Sequence, residues 1–293
     1  MANADLDELL AILDLTPVGD DVFVGAHPHK NPPRTFGGQL MAQAFVAATR
    51  TLRHEIAPSA LSVHFIAGGD PESDIEYHVV RLRDERRFAN RRVDAIQNGT
   101  LLATALVSYI SAGSGLEHNT PPMPNLPSPP ETLPTIDELL VGYEKVVPGF
   151  VEALRPPIQW RYTNEPSWIM REKGGTLTGN QVWLKADGAM PDSPTLHTAA
   201  MIYSSDTTIL DSIITTHGLS WGGWDRIFAV TVNHSLWFHR QVDFSDWVLY
   251  STNSPAAAES RGLGSGHFFS PAGDVVATVT QEGIVKHFPP GNA

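Results

Sequence analysis

The sequence predicts an α+β fold in which one unit, a helix wrapped by a curved antiparallel sheet, occurs twice. The order of elements supports this prediction, because each half has an apolar helix followed by several strand-like runs. The last strands also align: NGTLLATALVSY (98–109) and AGDVVATVTQEG (272–283) both follow a glycine turn with a branched apolar strand that contains Ala-Thr. A single mixed α+β domain with a chance similarity is the alternative.

The first half opens with a short amphipathic helix that carries Leu6, Leu9, Leu10 and Leu13 on one face. A strand and a glycine-rich entry, FGGQ, then lead into a helix rich in small residues. Its predicted strands follow in the order SALSVHFIAG, DIEYHVVRLR, FANRRVDAIQ and TLLATALVSYI.

Seven prolines between Pro121 and Pro134 predict an extended linker, because proline interrupts both helices and central strands. The expected domains are therefore residues 1–120 and 136–293, joined by a linker at 121–135. A helix is expected over Ile136 to Val147, and a longer one over Pro194 to Ile214. The strands of the second half are expected in IQWRYT, QVWLKA, RIFAVTVNHSLWFHR, DWVLYSTNSP, RGLGSGHFFS and DVVATVTQEGIV.

Composition excludes several classes of function. The chain of 293 residues is 42% hydrophobic, enough for a large core, yet no apolar run is long enough to cross a membrane. A net charge of −12 argues against a nucleic-acid partner. The absence of cysteine removes disulfides, thiolate metal sites and a cysteine nucleophile. With an acidic N-terminus that lacks a secretory pattern, these features predict a cytoplasmic protein.

Asp206 interrupts the apolar stripe of the helix predicted over 194–214. Leu196, Ala199, Tyr203, Leu210 and Ile213 recur on one face at three- and four-residue spacing, and Asp206 falls on the same face. A carboxylate that faces the core is costly unless a partner or a function compensates. A structural cap or a bond to a neighbour such as Ser205 is the alternative to a chemical role.

Two strand residues are candidate partners for Asp206. Strict alternation in β-structure places Thr231 on one face with Asn233, Ser235 and Trp237, a half-polar surface that suits a pocket wall. Gln281 ends an otherwise apolar row formed by Val275, Ala277 and Val279. Taken alone, each residue is better explained as a solvent-facing strand position.

A carboxylate, a hydroxyl and an amide can together bind one water molecule and activate it, with the carboxylate as general base. The motifs of a zinc protease (HExxH) and a phosphate loop (GxxxxGK[ST]) do not occur. Direct attack by water is therefore the predicted chemistry, without a metal or another cofactor.

Four segments resemble the type II acyl-CoA thioesterases, the TesB-like double-hotdog family. They are FGGQLMAQAF (36–45), MIYSSDTTIL (201–210), VTVNHSLWFHR (230–240) and ATVTQEGIV (277–285), and the resemblance covers nearly the whole chain. It implies two fused hotdog domains and hydrolysis of acyl-CoA to a free acid and coenzyme A, which is part of the substrate. It also implies that Asp206, Thr231 and Gln281 are catalytic and that a helix-terminal N–H stabilises the oxyanion.

The resemblance also makes Gly37, Gly38, Gln39 and Asn233 candidate substrate-binding residues. Family members usually have Asp where this chain has Asn233, so a charge is lost there. The first-half segment ALSVHFIAGGD likewise lacks the histidine pair that is usual in the family. These differences concern acyl-chain preference and the binding of coenzyme A more than the chemistry.

Arg86, Arg87, Arg91 and Arg92 form a basic cluster that could contact the phosphates of coenzyme A, with Arg91 as the candidate substrate contact. A solvated strand face is the other interpretation. The histidines are not spaced for a metal site. Because the edges and apolar faces of hotdog sheets commonly find partners, we expect a homo-oligomer.

Two other functions remain open. A hotdog enoyl-CoA hydratase is similar in using an Asp and a His five residues apart, a spacing that Asp192 and His197 share. The sequence Asp192-Ser193-Pro194 also fits a helix start, and a capping role is favoured for Asp192. A non-catalytic acyl-CoA-binding protein with the same fold is the second alternative.

Overall fold

The computed structural model describes residues 4–27, 34–126, 128–143, 158–221 and 225–288. In this part of the chain the α-helices are α1 (Ala4–Leu13), α2 (Gly37–Arg50), α3 (Ile136–Leu140), α4 (Ser167–Glu172), α5 (Pro194–Ser205) and α6 (Asp211–Thr216). The strands are β1 (Thr16–Gly19), β2 (Val22–Gly25), β3 (Pro58–Phe65), β4 (Ile75–Asp84), β5 (Phe88–Gln97), β6 (Thr100–Ile110), β7 (Ile158–Tyr162), β8 (Gly179–Ala186), β9 (Arg226–Phe238), β10 (Val248–Ala258), β11 (Arg261–Phe269) and β12 (Val275–Phe288).

The strands form one antiparallel sheet in the order β1-β2-β4-β5-β6-β3-β9-β12-β11-β10-β8-β7. The two halves of this order are mirror images, with β3 matching β9, β6 matching β12 and β5 matching β11. At the centre, β3 pairs with β9, and the hydroxyls of Ser62 and Ser235 lie 2.9 Å apart across the pair. The predicted duplicated α+β unit, a double hotdog, is therefore confirmed.

The two long helices α2 and α5 pack against each other inside the curved sheet. Nearly all of α2 is buried, which explains its many small side chains such as Ala42, Ala44, Ala47 and Ala48. Tyr203 near the end of α5 packs edge-on against Phe36 at the start of α2, with ring centroids 5.1 Å apart. The C-terminal end of α5 therefore meets the N-terminal end of α2.

The helix predicted over 194–214 is wrong in one respect, because α5 ends at Ser205 and α6 begins only at Asp211. Side-chain hydroxyls donate to carbonyl groups that would accept backbone N–H groups if the helix continued. Thr207 donates to the Ser204 carbonyl, and Tyr250 donates to the Ser205 carbonyl. Asp206 is consequently the residue that ends the helix, not a member of a continuous apolar stripe.

The strand predictions hold along both halves, and β5 coincides with the predicted run FANRRVDAIQ. After the linker, α3 begins at the predicted residue Ile136 with a capping box formed by Thr135 and Glu138. The helix ends at Leu140, however, and residues 141–143 form a turn, so the predicted continuation there is wrong. Residues 144–147 of that predicted helix lie outside the described residues. No helix in the described part of the chain is long and apolar enough to cross a membrane.

The proline-rich segment packs its apolar side chains against the outer surface of the second half of the sheet. Met123, Leu126 and Leu133 contact a small apolar cluster there. Its members are Trp183, Trp247, Leu249, Phe269 and Val275. The segment thus has an anchoring role in addition to connecting the halves, and the exact domain boundaries stay a prediction.

Candidate active site

A β-bulge in β9 turns Thr231 toward the interior of the second hotdog. Along β9, His234 pairs with Gln281 and Asn233 with Glu282, but Thr231 pairs with Gly283, so Val232 is the extra residue. The additional residue shifts the alternation by one position. Thr231 therefore shares a face of the sheet with His234 and Gln281. The prediction from strict alternation, which gives Thr231 the same face as Asn233 and Ser235, is wrong.

Asp206 lies where the C-terminal end of α5 meets the N-terminal end of α2. Its side chain is only 6% exposed. The backbone N–H of Gly38, one of the donors that the first turn of α2 leaves without a helical partner, binds the carboxylate. A carboxylate from the second hotdog thus binds a helix terminus from the first, so the site depends on both halves of the chain.

Glycine is required at the start of α2 because of close approaches to α5. A Cβ added to Gly37 would lie 2.5 Å from Asp206 Oδ2, and one added to Gly38 would lie 2.3 Å from the Tyr203 carbonyl oxygen. The FGGQ motif therefore allows the helix terminus to reach the carboxylate. Gly37 and Gly38, predicted as substrate-binding residues, border the site.

A continuous set of hydrogen bonds leads to Asp206. Thr231 Oγ1 lies 3.5 Å from Asp206 Oδ1, and Gln281 Nε2 donates to Thr231 Oγ1 over 2.6 Å. Gln281 also donates to the Asp206 carboxylate. On its other side, the Gln281 Oε1 atom lies 2.5 Å from His234 Nδ1. The structure thus brings together all three residues predicted as catalytic.

Burial makes the Asp206 carboxyl group a stronger base than an ordinary aspartate. Loss of hydration raises the pKa of Asp206 from 3.8 to about 7, and the hydrogen bonds from Gln281, Gly38 and Thr231 oppose this rise. Near neutral pH the group can therefore both accept and return a proton, as a general base requires.

Glycines in β11 and β12 allow the turn after Asp206 to pack closely onto the sheet. A Cβ on Gly264 would lie 2.7 Å from the side chain of Ile209, and one on Gly283 would lie 2.9 Å from Leu210. These contacts hold the turn between α5 and α6 and so fix the position of Asp206.

Two predicted substrate-binding residues lie away from this cluster. Gln39 is buried, and its side chain binds the Ala26 carbonyl and Gln43. Asn233 faces the opposite side of the sheet from His234 and donates to Glu282. The structure gives both side chains structural partners; only the backbone of Gln39, in the first turn of α2, lies near the site.

The position in the first hotdog that corresponds to the Asp206 site is filled by Arg91. This side chain is fully buried, and it donates to Thr51 Oγ1 over 2.7 Å and to Asp84 Oδ1 over 3.0 Å. The predicted contact of Arg91 with coenzyme A phosphates is contradicted, because the guanidinium group has internal partners and no exposed surface. Arg86, Arg87 and Arg92 are exposed.

The spacing shared with hydratases has a structural explanation. Ser193, not the favoured Asp192, caps α5 by accepting the Leu196 N–H, and His197 Nδ1 accepts the Phe244 N–H. Both Asp192 and His197 lie at the beginning of α5, whereas Asp206 follows its end. A helix of 12 residues separates the two ends by about 18 Å, too far for one reaction centre.

Sequence reasoning assigns no role to His234. The side chain is 0% exposed and makes two hydrogen bonds, to Gln281 Oε1 and to Ser205 Oγ. No local sequence signal marks it, because the pairing of His234 with Gln281 depends on the register of β9 against β12. Within the described residues, no group of three acidic or histidine side chains is placed to hold a metal ion.

Comparisons with known proteins identify the family to which the chain belongs. Residues 27–110 match the family model described as acyl-CoA thioesterase N-terminal domain, and residues 151–284 match the model described as acyl-CoA thioesterase. Over 98% of its length the chain is 31% identical to acyl-coenzyme A thioesterase 8 of Rattus norvegicus, of which it covers 92%. The chain belongs to the acyl-CoA thioesterase family. This thioesterase hydrolyses acyl-CoA to a fatty acid and coenzyme A.

Bacterial relatives resemble the thioesterase equally along their whole length. It is 29% identical to acyl-CoA thioesterase 2 of Haemophilus influenzae, over 96% of this chain and 98% of the relative. The solved structure of acyl-CoA thioesterase II TesB2 from Mycobacterium marinum superposes with a TM-score of 0.76 at 29% identity, over 97% of this chain and 99% of that one. Both halves of the fold are therefore shared with these relatives.

Replacing Gly37 with alanine is expected to lower hydrolysis at least tenfold, because the added methyl group must displace the Asp206 carboxylate or the helix terminus. Gly68→Ala is the matched control, since a Cβ there meets only Arg34 at 3.7 Å. Steady-state release of free thiol from acyl-CoA measures the effect. Equal rates in the two variants would show that the close approach at Gly37 has no role.

Replacing Arg91 with methionine is expected to lower the free energy of unfolding by about 3 kcal/mol, because Thr51 and Asp84 lose a buried partner. Arg92→Met is the control, since Arg92 is exposed and pairs with Asp94 on the surface. Denaturant unfolding gives the stability, and the KM for acyl-CoA is expected to stay near the parent value. A raised KM with unchanged stability would restore the phosphate-binding interpretation.

Proposed function

We propose that Asp206, Thr231 and Gln281 are the catalytic residues and that they activate a water molecule for direct attack on the thioester carbonyl. The observation that carries this proposal is the burial of the Asp206 carboxylate with hydrogen bonds from Gln281, Gly38 and Thr231. Such a group has the basicity and the fixed orientation that a general base needs.

In the first step, the water oxygen bonds to the thioester carbonyl carbon while Asp206 takes a water proton. Thr231 and Gln281 hold the water in line with the carbonyl. The tetrahedral intermediate then collapses and the carbon–sulfur bond breaks. The departing thiolate takes the proton that Asp206 removed from the water. The products are the free acid and coenzyme A, and the enzyme returns to its starting state.

The negative charge that develops on the carbonyl oxygen needs hydrogen-bond donors in a dry site. The N-terminal turn of α2 supplies backbone N–H groups at Gly37, Gly38 and Gln39, since the first intrahelical bond is donated by Leu40. The positive end of the helix dipole favours an anion at the same place. Because Gly38 donates to Asp206, and Gln281 Nε2 donates to Thr231 and Asp206, the N–H groups of Gly37 and Gln39 are the proposed oxyanion donors.

Ser205 and His234 form a hydrogen-bonded pair that would suit a serine nucleophile, but its location opposes that role. Ser205 Oγ is fully buried and also contacts the Ile202 carbonyl in the last turn of α5. The oxygen thus lies inside the protein against the helix backbone, away from solvent. Direct attack by water therefore predicts no acyl-enzyme, and a covalent acyl adduct detected by intact mass spectrometry would contradict it.

The quaternary state and the location are further parts of the proposal. Apolar side chains exposed on the outer face and edge of the first half of the sheet support self-association into a homo-oligomer; they include Val80, Leu82, Phe88, Leu106 and Ile110. The absence of cysteine is compatible with a reducing cytoplasm. A strictly monomeric mass by light scattering, or fractionation with an organelle, would overturn the respective part.

Asp206→Asn and Gln281→Ala are each expected to lower hydrolysis at least about a hundredfold, because they remove the general base and a donor to the reacting atoms. Neither thermal midpoint should fall far below the parent value, so that unfolding does not explain the loss. Asp192→Asn is the matched control and should hydrolyse acyl-CoA normally. If Asp192→Asn lost activity and the parent converted enoyl-CoA to 3-hydroxyacyl-CoA, the hydratase alternative would be correct.

The acid limb of the kcat/KM profile, which reports groups of the free enzyme, is expected to rise with a midpoint near pH 7, because the pKa of Asp206 is raised from 3.8 to about 7 and only the ionised form acts as a base. The folded state holds this proton more tightly than the unfolded state, so ionisation between these values lowers the free energy of unfolding. Asp206→Asn should therefore gain stability over the parent above pH 7 and lose that advantage below pH 4. A stability difference independent of pH would contradict the shift.

A further inference from the structure

We propose that His234 is a positioning residue that holds the Gln281 carboxamide so that its Nε2 faces Thr231 and Asp206. The inference rests on the proposed catalytic role of Gln281 and assigns a function to a side chain that does not touch the reacting atoms. Its basis is a chain of hydrogen bonds that joins five side chains in this order: Ser205, His234, Gln281, Thr231 and Asp206.

The direction of this chain follows from its acceptor end. An ionised Asp206 only accepts hydrogen bonds, so Thr231 donates its hydroxyl hydrogen to the carboxylate. Thr231 Oγ1 then accepts from Gln281 Nε2, and Gln281 presents Oε1 to His234. Because Oε1 only accepts, His234 Nδ1 carries the hydrogen and Nε2 is bare. Nε2 then accepts the single hydroxyl hydrogen of Ser205, which in this arrangement points to the ring and not to the Ile202 carbonyl 2.7 Å away.

The reverse direction would leave the carboxylate without its two side-chain donors. In that arrangement Thr231 donates to a flipped Gln281, and Gln281 donates to His234 Nδ1. The amide oxygen of Gln281 would then face the site, where it could neither bind Asp206 nor stabilise an oxyanion. Donation from His234 Nδ1 is therefore what keeps the amide in its productive orientation.

His234 is suited to this task because it stays neutral. Burial lowers its pKa to about 4, so that near neutral pH the ring carries one hydrogen. The nearest charged group is Asp206, whose Oδ1 lies 4.0 Å from His234 Nδ1. A neutral ring gives a fixed pattern of one donor and one acceptor on opposite sides.

The first hotdog shows that the fold does not need a histidine at this place. His234 precedes Ser235 at the central strand pair, and Leu61 precedes Ser62 in the matching strand. Leu61 pairs with Val107 as His234 pairs with Gln281, and both apolar side chains are buried. The histidine therefore occurs together with the catalytic glutamine, while the apolar counterparts build an equivalent core.

A double-mutant cycle tests the proposal. His234→Leu introduces the residue found at the matching position, and His234→Asn keeps a donor near the place of Nδ1. In the parent background, kcat is expected to fall about 10- to 100-fold in His234→Leu and less than about tenfold in His234→Asn, with KM nearly unchanged. In a Gln281→Ala background, His234→Leu should cause no further loss, because its only route to the reaction has been removed.

The outcomes separate this role from a structural one. A fall in thermal midpoint that parallels the loss of activity in both histidine variants would assign His234 to folding. Full activity in His234→Leu, or independent losses in the cycle, would overturn the positioning role and leave the catalytic set intact. Undiminished hydrolysis by Asp206→Asn would instead overturn the proposed catalytic set itself.

Discussion

The structure depends on keeping one carboxylate in a nearly dry place between two helices. Desolvation of Asp206 is unfavourable, and it is offset only because the N–H of Gly38 and the side chains of Thr231 and Gln281 donate to it. This requirement accounts for the glycines at the start of α2, for the end of α5 at Ser205 and for the bulge in β9. Each of these departures from regular structure brings a donor or a backbone segment close to the carboxylate.

Duplication of the fold has not duplicated the chemistry. The end of α2 in the first hotdog carries Thr51 where α5 has Asp206, and β6 carries Val107 where β12 has Gln281. Arg91 has the strand position that Gly264 has in the second hotdog, since it pairs with Val107 as Gly264 pairs with Gln281. In the second hotdog, Ile209 of the turn after Asp206 packs against Gly264. The first half contributes a helix terminus to the shared site, and its own equivalent position is used for stability.

Much of the site could be predicted from the sequence because its residues break local patterns. Asp206 stands out against apolar neighbours, and Gln281 ends an apolar row in β12. The alignment of residues 98–109 with 272–283 also matches Val107 with Gln281. The strand pairing gives these two residues equivalent positions, Val107 opposite Leu61 and Gln281 opposite His234. Thr231 was identified through the family resemblance, but the predicted direction of its side chain was wrong. A bulge depends on the partner strand and leaves no local signal.

The sequence by itself determined the repeated order of helix and strands, the acidic and cysteine-free character of the chain, and the three candidate catalytic residues. Periodicity and composition are properties of neighbours along the chain and carry the first two directly, whereas the catalytic set also depends on the resemblance to a known family. The tertiary structure alone shows that Arg91 is buried, that Asn233 faces away from the Asp206 site and that His234 contacts Gln281. Those facts depend on contacts between residues far apart in sequence, where register, bulges and close helix approaches select the partners.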